Sequence, residues 1–221
     1  MIKKILITGV NSGVGFNLAK KLSRKFKIIG LSRSNNNIKK INSKNFSFNK
    51  VDLSKIEEID SLKKTKNIDC LINNASIFKQ KDFKNLTTAE ILSIIQTNLI
   101  GTILLTKKIL KENNLKKIIN IISVSGLNGI KNQTIYSSSK HGLKGFFESL
   151  NYEIGKNTKI YNIYPGGINT ELWNNYKNIK KKKAKNFLSP DDIFSLVFFL
   201  IKQNNNAIYK NIVLFPDNDF H

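Results

Sequence analysis

The chain has 221 residues, enough for one substantial core and short for two domains. Hydrophobic residues make up 40% of it, and 37 basic residues against 15 acidic ones give a formal charge of +22. This composition excludes a disordered chain, and the single cysteine, Cys70, excludes an internal disulfide and fits a reducing cytoplasm.

The charge by itself suits a nucleic-acid binder or an anionic membrane surface. The lysines are spread over the whole chain, however, and Arg24 and Arg33 are its only arginines. Base and phosphate recognition relies heavily on the bidentate arginine fork. We therefore read the charge as compositional drift that still favours anionic ligands, with no nucleic acid as main partner. The longest apolar run, Ile193 to Ile201, falls short of the roughly 18 to 20 residues that span a bilayer, so no membrane segment is expected. The residues between Lys4 and Gly9 are too few for a signal-peptide core.

In chain order, Ile2 to Thr8 reads as a buried strand running into T-G-V-N-S-G-V-G, Thr8 to Gly15. A helix follows, with Val14, Leu18 and Leu22 on its apolar side. Strand, glycine-rich turn and helix together make a phosphate-binding device: glycines let the backbone approach a pyrophosphate, and the helix N-terminus offers N–H groups. Lys27 to Leu31 is the second strand, ending at Ser32 and Arg33. An acid there would bond a ribose 2′-hydroxyl, whereas a guanidinium pairs with a 2′-phosphate, so NADP(H) is expected over NAD(H).

Phe46 to Val51 reads as the third strand, ending at Asp52 and Leu53. Ser54 is expected to cap a helix through about Lys64, with Glu57 completing a capping box. Ile68 to Ile72 is the fourth strand and runs into Asn73-Asn74-Ala75-Ser76, whose asparagines suit backbone ties as well as ligand contact. Thr87 to about Glu112 reads as one long helix with a capping box at Thr87 and Glu90. Asn98 falls among its apolar positions, and periodicity alone favours a core tie there.

Ile118 to Ile122 reads as a buried parallel strand leading to Ser123. The next helix carries Tyr136 and Lys140, four residues apart and so on one face. A lysine ammonium beside a tyrosine hydroxyl lowers its pKa from about 10, which equips the tyrosine for proton exchange with a substrate oxygen. Alone, such a pair usually marks one half-buried ring and one solvated charge. Lys159 to Tyr164 is the sixth strand, followed by Pro165 to Thr170; Glu171 to Leu188 is polar and lysine-rich; Pro190 opens the last helix; Ile212 to Phe215 is a final strand. No metal-ligand cluster, repeat or linker is apparent. The alternation of strands and helices argues an α/β doubly wound parallel sheet, a Rossmann fold, in a single domain over residues 1–221.

This arrangement resembles the compact single-domain branch of the short-chain dehydrogenases/reductases, of the 3-oxoacyl-carrier-protein-reductase kind. The likeness rests on Thr8-Gly9 with Gly13 and Gly15, Asp52, Asn73-Asn74-Ala75, Asn98, Ser123, Tyr136, Lys140, and Pro165-Gly166 with Thr170. It implies that Gly9, Asn11, Ser12, Gly13, Val14 and Gly15 line the pyrophosphate, with Ser32 and Arg33 at the adenosine ribose. It implies Asp52 and Leu53 at the adenine, Asn74 and Ala75 along the adenosine side, and Pro165, Gly166, Ile168 and Thr170 at the nicotinamide. Tyr136 would donate or accept the proton, Ser123 would polarise the substrate oxygen, and Lys140 would bind the nicotinamide ribose. Asn98 would anchor a water leading to Lys140. Ser125 is the competing serine, and the step from Ser123 to Tyr136 matches the family pattern.

The implied function is NADP(H)-dependent interconversion of a carbonyl and a secondary alcohol, on a 3-oxoacyl thioester or a sugar-like carbonyl. The resemblance also implies a cytoplasmic homodimer or homotetramer acting on a small molecule. A cofactor-binding sensor or scaffold without turnover is the alternative, and a basic nucleic-acid binder a more distant one. A stretch of lysines, Lys180 to Lys185, beside the expected substrate lid hints at an anionic or carrier-linked substrate.

Overall fold

A computed structural model describes residues 1–63, 65–155, 157–172, 186–204 and 206–217. Seven parallel strands form one sheet in the order β3-β2-β1-β4-β5-β6-β7. They are β1 (Lys4–Thr8), β2 (Lys27–Ser32), β3 (Phe46–Lys50), β4 (Cys70–Asn73), β5 (Lys117–Ile121), β6 (Lys159–Pro165) and β7 (Asn211–Leu214). The order reverses between β1 and β4, and in open parallel sheets a crevice forms at the carboxyl ends of the strands at such a point.

The central strands are nearly uniform Ile and Leu because both faces of the sheet are covered. On one face, Ile5, Ile7, Ile72, Ile119 and Ile163 pack under α1 (Gly13–Leu22) and the last helix, α6 (Pro190–Lys202). On the other, Leu6, Leu71, Ile118 and Ile160 pack under α4 (Gly101–Glu112) and α5 (Thr134–Glu153). Residue alternation along each strand distributes this apolar content between the two faces.

A row of asparagines crosses the second face in register. Asn73 donates to Asn120 Oδ1 at 2.9 Å, and Asn120 donates to Asn162 Oδ1 at 2.8 Å. These three side chains are buried, and each amide serves as donor to the next strand, which satisfies donors that would otherwise cost about 1–3 kcal/mol apiece; Asn73 Oδ1 has no partner among the described residues.

Thr88–Glu112 runs as α3 (Thr88–Ile95), a π turn (Gln96–Ile100) and α4. Thr87 and Glu90 form the expected capping box. Among the described residues this is the one helix long and apolar enough to cross a bilayer. Here it lies in the layer over the sheet, with Ile94, Leu105 and Ile109 buried. At the other end of the chain, α6 starts at Pro190 as expected, capped by Ser189 and Asp192.

One expected element is corrected. The helix after β3 is only α2 (Ile56–Asp60), and Ser54 does not cap it. Both the Ser54 N–H and its hydroxyl bond Asp52 Oδ1, at 3.0 and 2.8 Å, so the side chain is already committed. Glu58, rather than Glu57, accepts from the Asp52 N–H at 2.8 Å. Most of the stretch Glu171 to Leu188, including Lys180 to Lys185, lies outside the described residues, as does Lys64.

Candidate active site

The carboxyl ends of the strands surround a cleft of ≈ 550 Å³. Its floor is set by Thr8. The Thr8 hydroxyl accepts from the backbone N–H of both Asn74 and Ala75, at 2.9 Å each, which locks the end of β4 to the end of β1. Asn74 in turn donates to Thr8 O at 2.9 Å. Gly9 and Gly13 have φ of +74° and +53°, a region glycine enters without strain. Gly9, Asn11, Ser12, Gly13 and Val14 line the cleft at the N-terminus of α1. Gly15 does not. It sits behind the turn, where a Cβ would collide with the Gly9 carbonyl and the Asn74 amide. Its place is therefore the close packing of helix on strand.

Ser32 and Arg33 line the far end, and Asp52 and Leu53 stand beside them. Asn11 is held by the loop after β2: its Oδ1 accepts from Asn37 N at 3.0 Å and its Nδ2 donates to Ser34 at 3.1 Å. Burial pushes the Asp52 carboxyl up, but the Ser54 N–H and hydroxyl and the nearby Arg33 charge outweigh it and hold the group below its ordinary value. On the opposite wall, Pro165, Gly166, Ile168 and Thr170 face the cleft. Ile168 pairs with Leu188 in an isolated bridge, and a Cβ on Gly13 would meet the Thr170 methyl at 3.4 Å. The turns after β1 and β6 thus close on each other.

Between these walls stand Ser123, Tyr136 and Lys140. Burial pushes the Tyr136 phenol up to about 12, partly offset by hydrogen bonds from Ser123 and Ser76. The expected depression by Lys140 is absent, and the reason is physical. Lys140 is 2% exposed, and desolvation, with nothing to offset it, lowers its own pKa to about 7. Its Nζ is 5.4 Å from the Tyr136 ring centre. The enclosure that brings the pair together also discourages charge on both members.

Ser123, not Ser125, reaches Tyr136; Ser125 instead donates its hydroxyl to Gln133 Oε1 at 3.0 Å. Asn98 is fully buried and does not line the cleft. Its side chain accepts from Ile77 N at 2.7 Å and donates to Ile77 O at 2.8 Å and Ser139 at 3.2 Å. It is the tie that periodicity favours, and it holds the loop after β4 against α5. The surrounding π turn, Gln96–Ile100, is a feature that recurs at functional sites.

Sequence reading passed over several residues of the cleft. Ser76 was visible as a serine in the strand-end turn, but nothing local places its hydroxyl on Tyr136. Phe78 stacks edge-on against the Tyr136 ring, with centroids 4.9 Å apart. Gln133 and Thr97 also line the cleft.

A nicotinamide dinucleotide fits these residues. The positive-φ glycines form the phosphate turn, and the buried Thr97 Oγ1, which has no hydrogen-bond partner among the described residues, belongs to the lining of a cleft able to supply one. Among the described residues no group of three or more His, Cys, Asp or Glu could hold a metal ion.

The family model for short chain dehydrogenases matches residues 3–181. The chain is 34% identical over 225 residues to a 3-oxoacyl-[acyl-carrier-protein] reductase of Buchnera aphidicola subsp. Acyrthosiphon pisum, covering 91% of each. It is 28% identical to an NADP-dependent 3-hydroxy acid dehydrogenase of Schizosaccharomyces pombe, covering 97% of this chain and 92% of that one. Among solved structures, 4-hydroxyisoleucine dehydrogenase complexed with NADH superposes with a TM-score of 0.87 at 30% identity, covering 97% of both chains. With the family model, a relative above 30% identity and the full-length structural likeness in agreement, the chain belongs to the short-chain dehydrogenase/reductase family and is an NAD(P)-dependent oxidoreductase of the CH–OH group.

Proposed function

We propose that the chain reduces a small carbonyl compound to a secondary alcohol with NADP(H) in preference to NAD(H). The reading rests above all on Tyr136, whose hydroxyl is bonded by Ser123 and Ser76 one helical turn from the buried Lys140. When bound, the nicotinamide supplies the hydride. The chain supplies position and proton. Ser123 Oγ donates to the substrate oxygen and fixes it next to Tyr136 Oη. Tyr136 gives its proton to that oxygen as negative charge develops there. The Lys140 ammonium stabilises the phenolate left behind. A phenol near 12 is fully protonated at neutral pH, which suits the reductive direction; oxidation requires the phenolate and gains as pH rises.

Substrates in keeping with the relatives are a 3-oxoacyl thioester, such as the 3-oxoacyl-carrier-protein reductase of Buchnera acts on by its name, or a small hydroxy acid or sugar-like carbonyl. The preference for NADP(H) is supported by Arg33, exposed at the ribose end with no acid at the end of β2. A cytoplasmic setting is supported by the buried free thiol of Cys70. Partly exposed Leu92 and Ile100 on the α3–α4 helix support a homodimer or homotetramer, which light scattering on the purified protein tests.

The test of the chemistry is Tyr136→Phe. We expect kcat for carbonyl reduction to fall by roughly 100-fold or more with nucleotide binding retained. A variant as fast as the parent would refute the mechanism.

A further inference from the structure

We propose that Gln133 is a specificity-determining residue: its side-chain amide donates to a second oxygen of the substrate, set apart from the one held by Ser123 and Tyr136. The inference rests on the function proposed above and names what else the substrate must contain.

Gln133 stands three residues before Tyr136, at the N-cap of α5, and both line the cleft. Its side chain does not cap the helix. Instead Oε1 accepts the Ser125 hydroxyl at 3.0 Å, and Ser125 is only 2% exposed. The buried Ser125 hydroxyl has Gln133 Oε1 as its acceptor, and this bond holds one end of the amide. Among the described residues Nε2 has no hydrogen-bond partner, so the end left to meet a ligand is a donor. The backbone around it is fixed as well. Gln133 N donates to Ile130 O at 3.1 Å, Ser137 N donates to Gln133 O at 2.7 Å, and Lys81 N donates to Asn132 O at 2.8 Å, which ties this turn to the loop after β4.

Apolar side chains line the same cleft. Phe78 covers the Tyr136 ring edge-on, and Ile130 and Leu172 are among the others. A locked donor in such a cleft rewards a ligand that brings an acceptor and penalises one that leaves the amide unpaired. Residues three apart in a helical turn have Cβ atoms about 5–6 Å apart. The acceptor is therefore a carbonyl or carboxylate oxygen a few bonds from the reacting carbonyl, as in a 3-oxo ester, thioester or acid. A simple ketone has no group for this position.

Ethyl 3-oxohexanoate and 2-octanone, similar in size and differing in the second carbonyl, serve as probes with NADPH or NADH. In Gln133→Leu we expect kcat/KM for the ester to fall about 10- to 100-fold, chiefly through KM, with 2-octanone within about twofold of the parent. Gln133→Glu, which cannot donate when ionised, should lose the same preference and serves if the leucine variant fails to fold. Ser125→Ala, which frees the amide to rotate, should lose a smaller part of it. Equal losses on both substrates, or no loss on the ester, would overturn the assignment of Gln133 alone. A folded parent that reduces neither probe would overturn the proposed function and this inference with it.

Discussion

The Nζ of Lys140 lies 5.4 Å from the centre of the Tyr136 ring, and burial disfavours charge on both groups in the protein alone. Desolvation drives the phenol up to about 12 and the ammonium down to about 7. Position and burial are set by the fold, and burial in turn governs how readily each group ionises.

Lys140 should make stability rise with pH. Its folded pKa of about 7 lies below the ordinary 10.5, so between those values the unfolded chain binds the extra proton. Stability therefore increases from pH 7 toward 10.5, and below pH 7 the full cost of charging a buried amine remains. Replacing Lys140 by Met should stabilise the protein without nucleotide by on the order of 2–4 kcal/mol at pH 6, with the gap closing toward pH 10. Urea unfolding at pH 6, 8 and 10 measures this, and a gap independent of pH would contradict it.

Ser76 should tune the proton donor. Its hydrogen bond lowers the Tyr136 pKa against the effect of burial. In Ser76→Ala the phenolate becomes rarer at any pH below its pKa. Alcohol oxidation at pH 8 should slow by roughly two- to tenfold and its pH limb should move up, while reduction at pH 7 changes little. The pH profile of oxidation is the readout, and an unmoved limb would separate Ser76 from the chemistry.

Arg33 should decide between the two nucleotides. Arg33→Ala should weaken NADPH binding by about tenfold or more and leave NADH within about twofold, because only the 2′-phosphate meets the guanidinium. Fluorescence titration of parent and variant with each nucleotide tests the point. Equal affinity of the parent for both would remove the case for Arg33.

Asp69 should govern the acid limb. Burial pushes its carboxyl up, but Lys116 at 2.7 Å and the N–H groups of Lys3 and Lys4, at 2.8 and 3.0 Å, outweigh that and lower it below 3.8. Its contribution is thus present above the unfolded value and is lost as pH falls through the lower folded one. Asp69→Asn should cost about 1–3 kcal/mol at pH 7, with the deficit shrinking below pH 4. Thermal unfolding from pH 7 to pH 2.5 would show a constant deficit if the assignment is wrong.

Much of this protein follows from the sequence by itself. Runs such as Ile118 to Ile122, apolar at every position but Asn120, read as strands covered on both faces, since a half-exposed strand alternates apolar with polar residues. The turn from Thr8 to Gly15 needs glycine where φ is positive, and the capping box at Thr87 and Glu90 is written in four consecutive residues. These are short-range effects, complete within a few residues of chain. The tertiary structure decided the rest. It gave Tyr136 to Ser123 and Ser76, turned Ser125 toward Gln133, and spent the Asn98 side chain on Ile77 and Ser139. It also reversed the expected shift of the Tyr136 phenol, because desolvation sums over every element that closes the cleft. The identity and spacing of Tyr136 and Lys140 are local, and the dielectric around them is not.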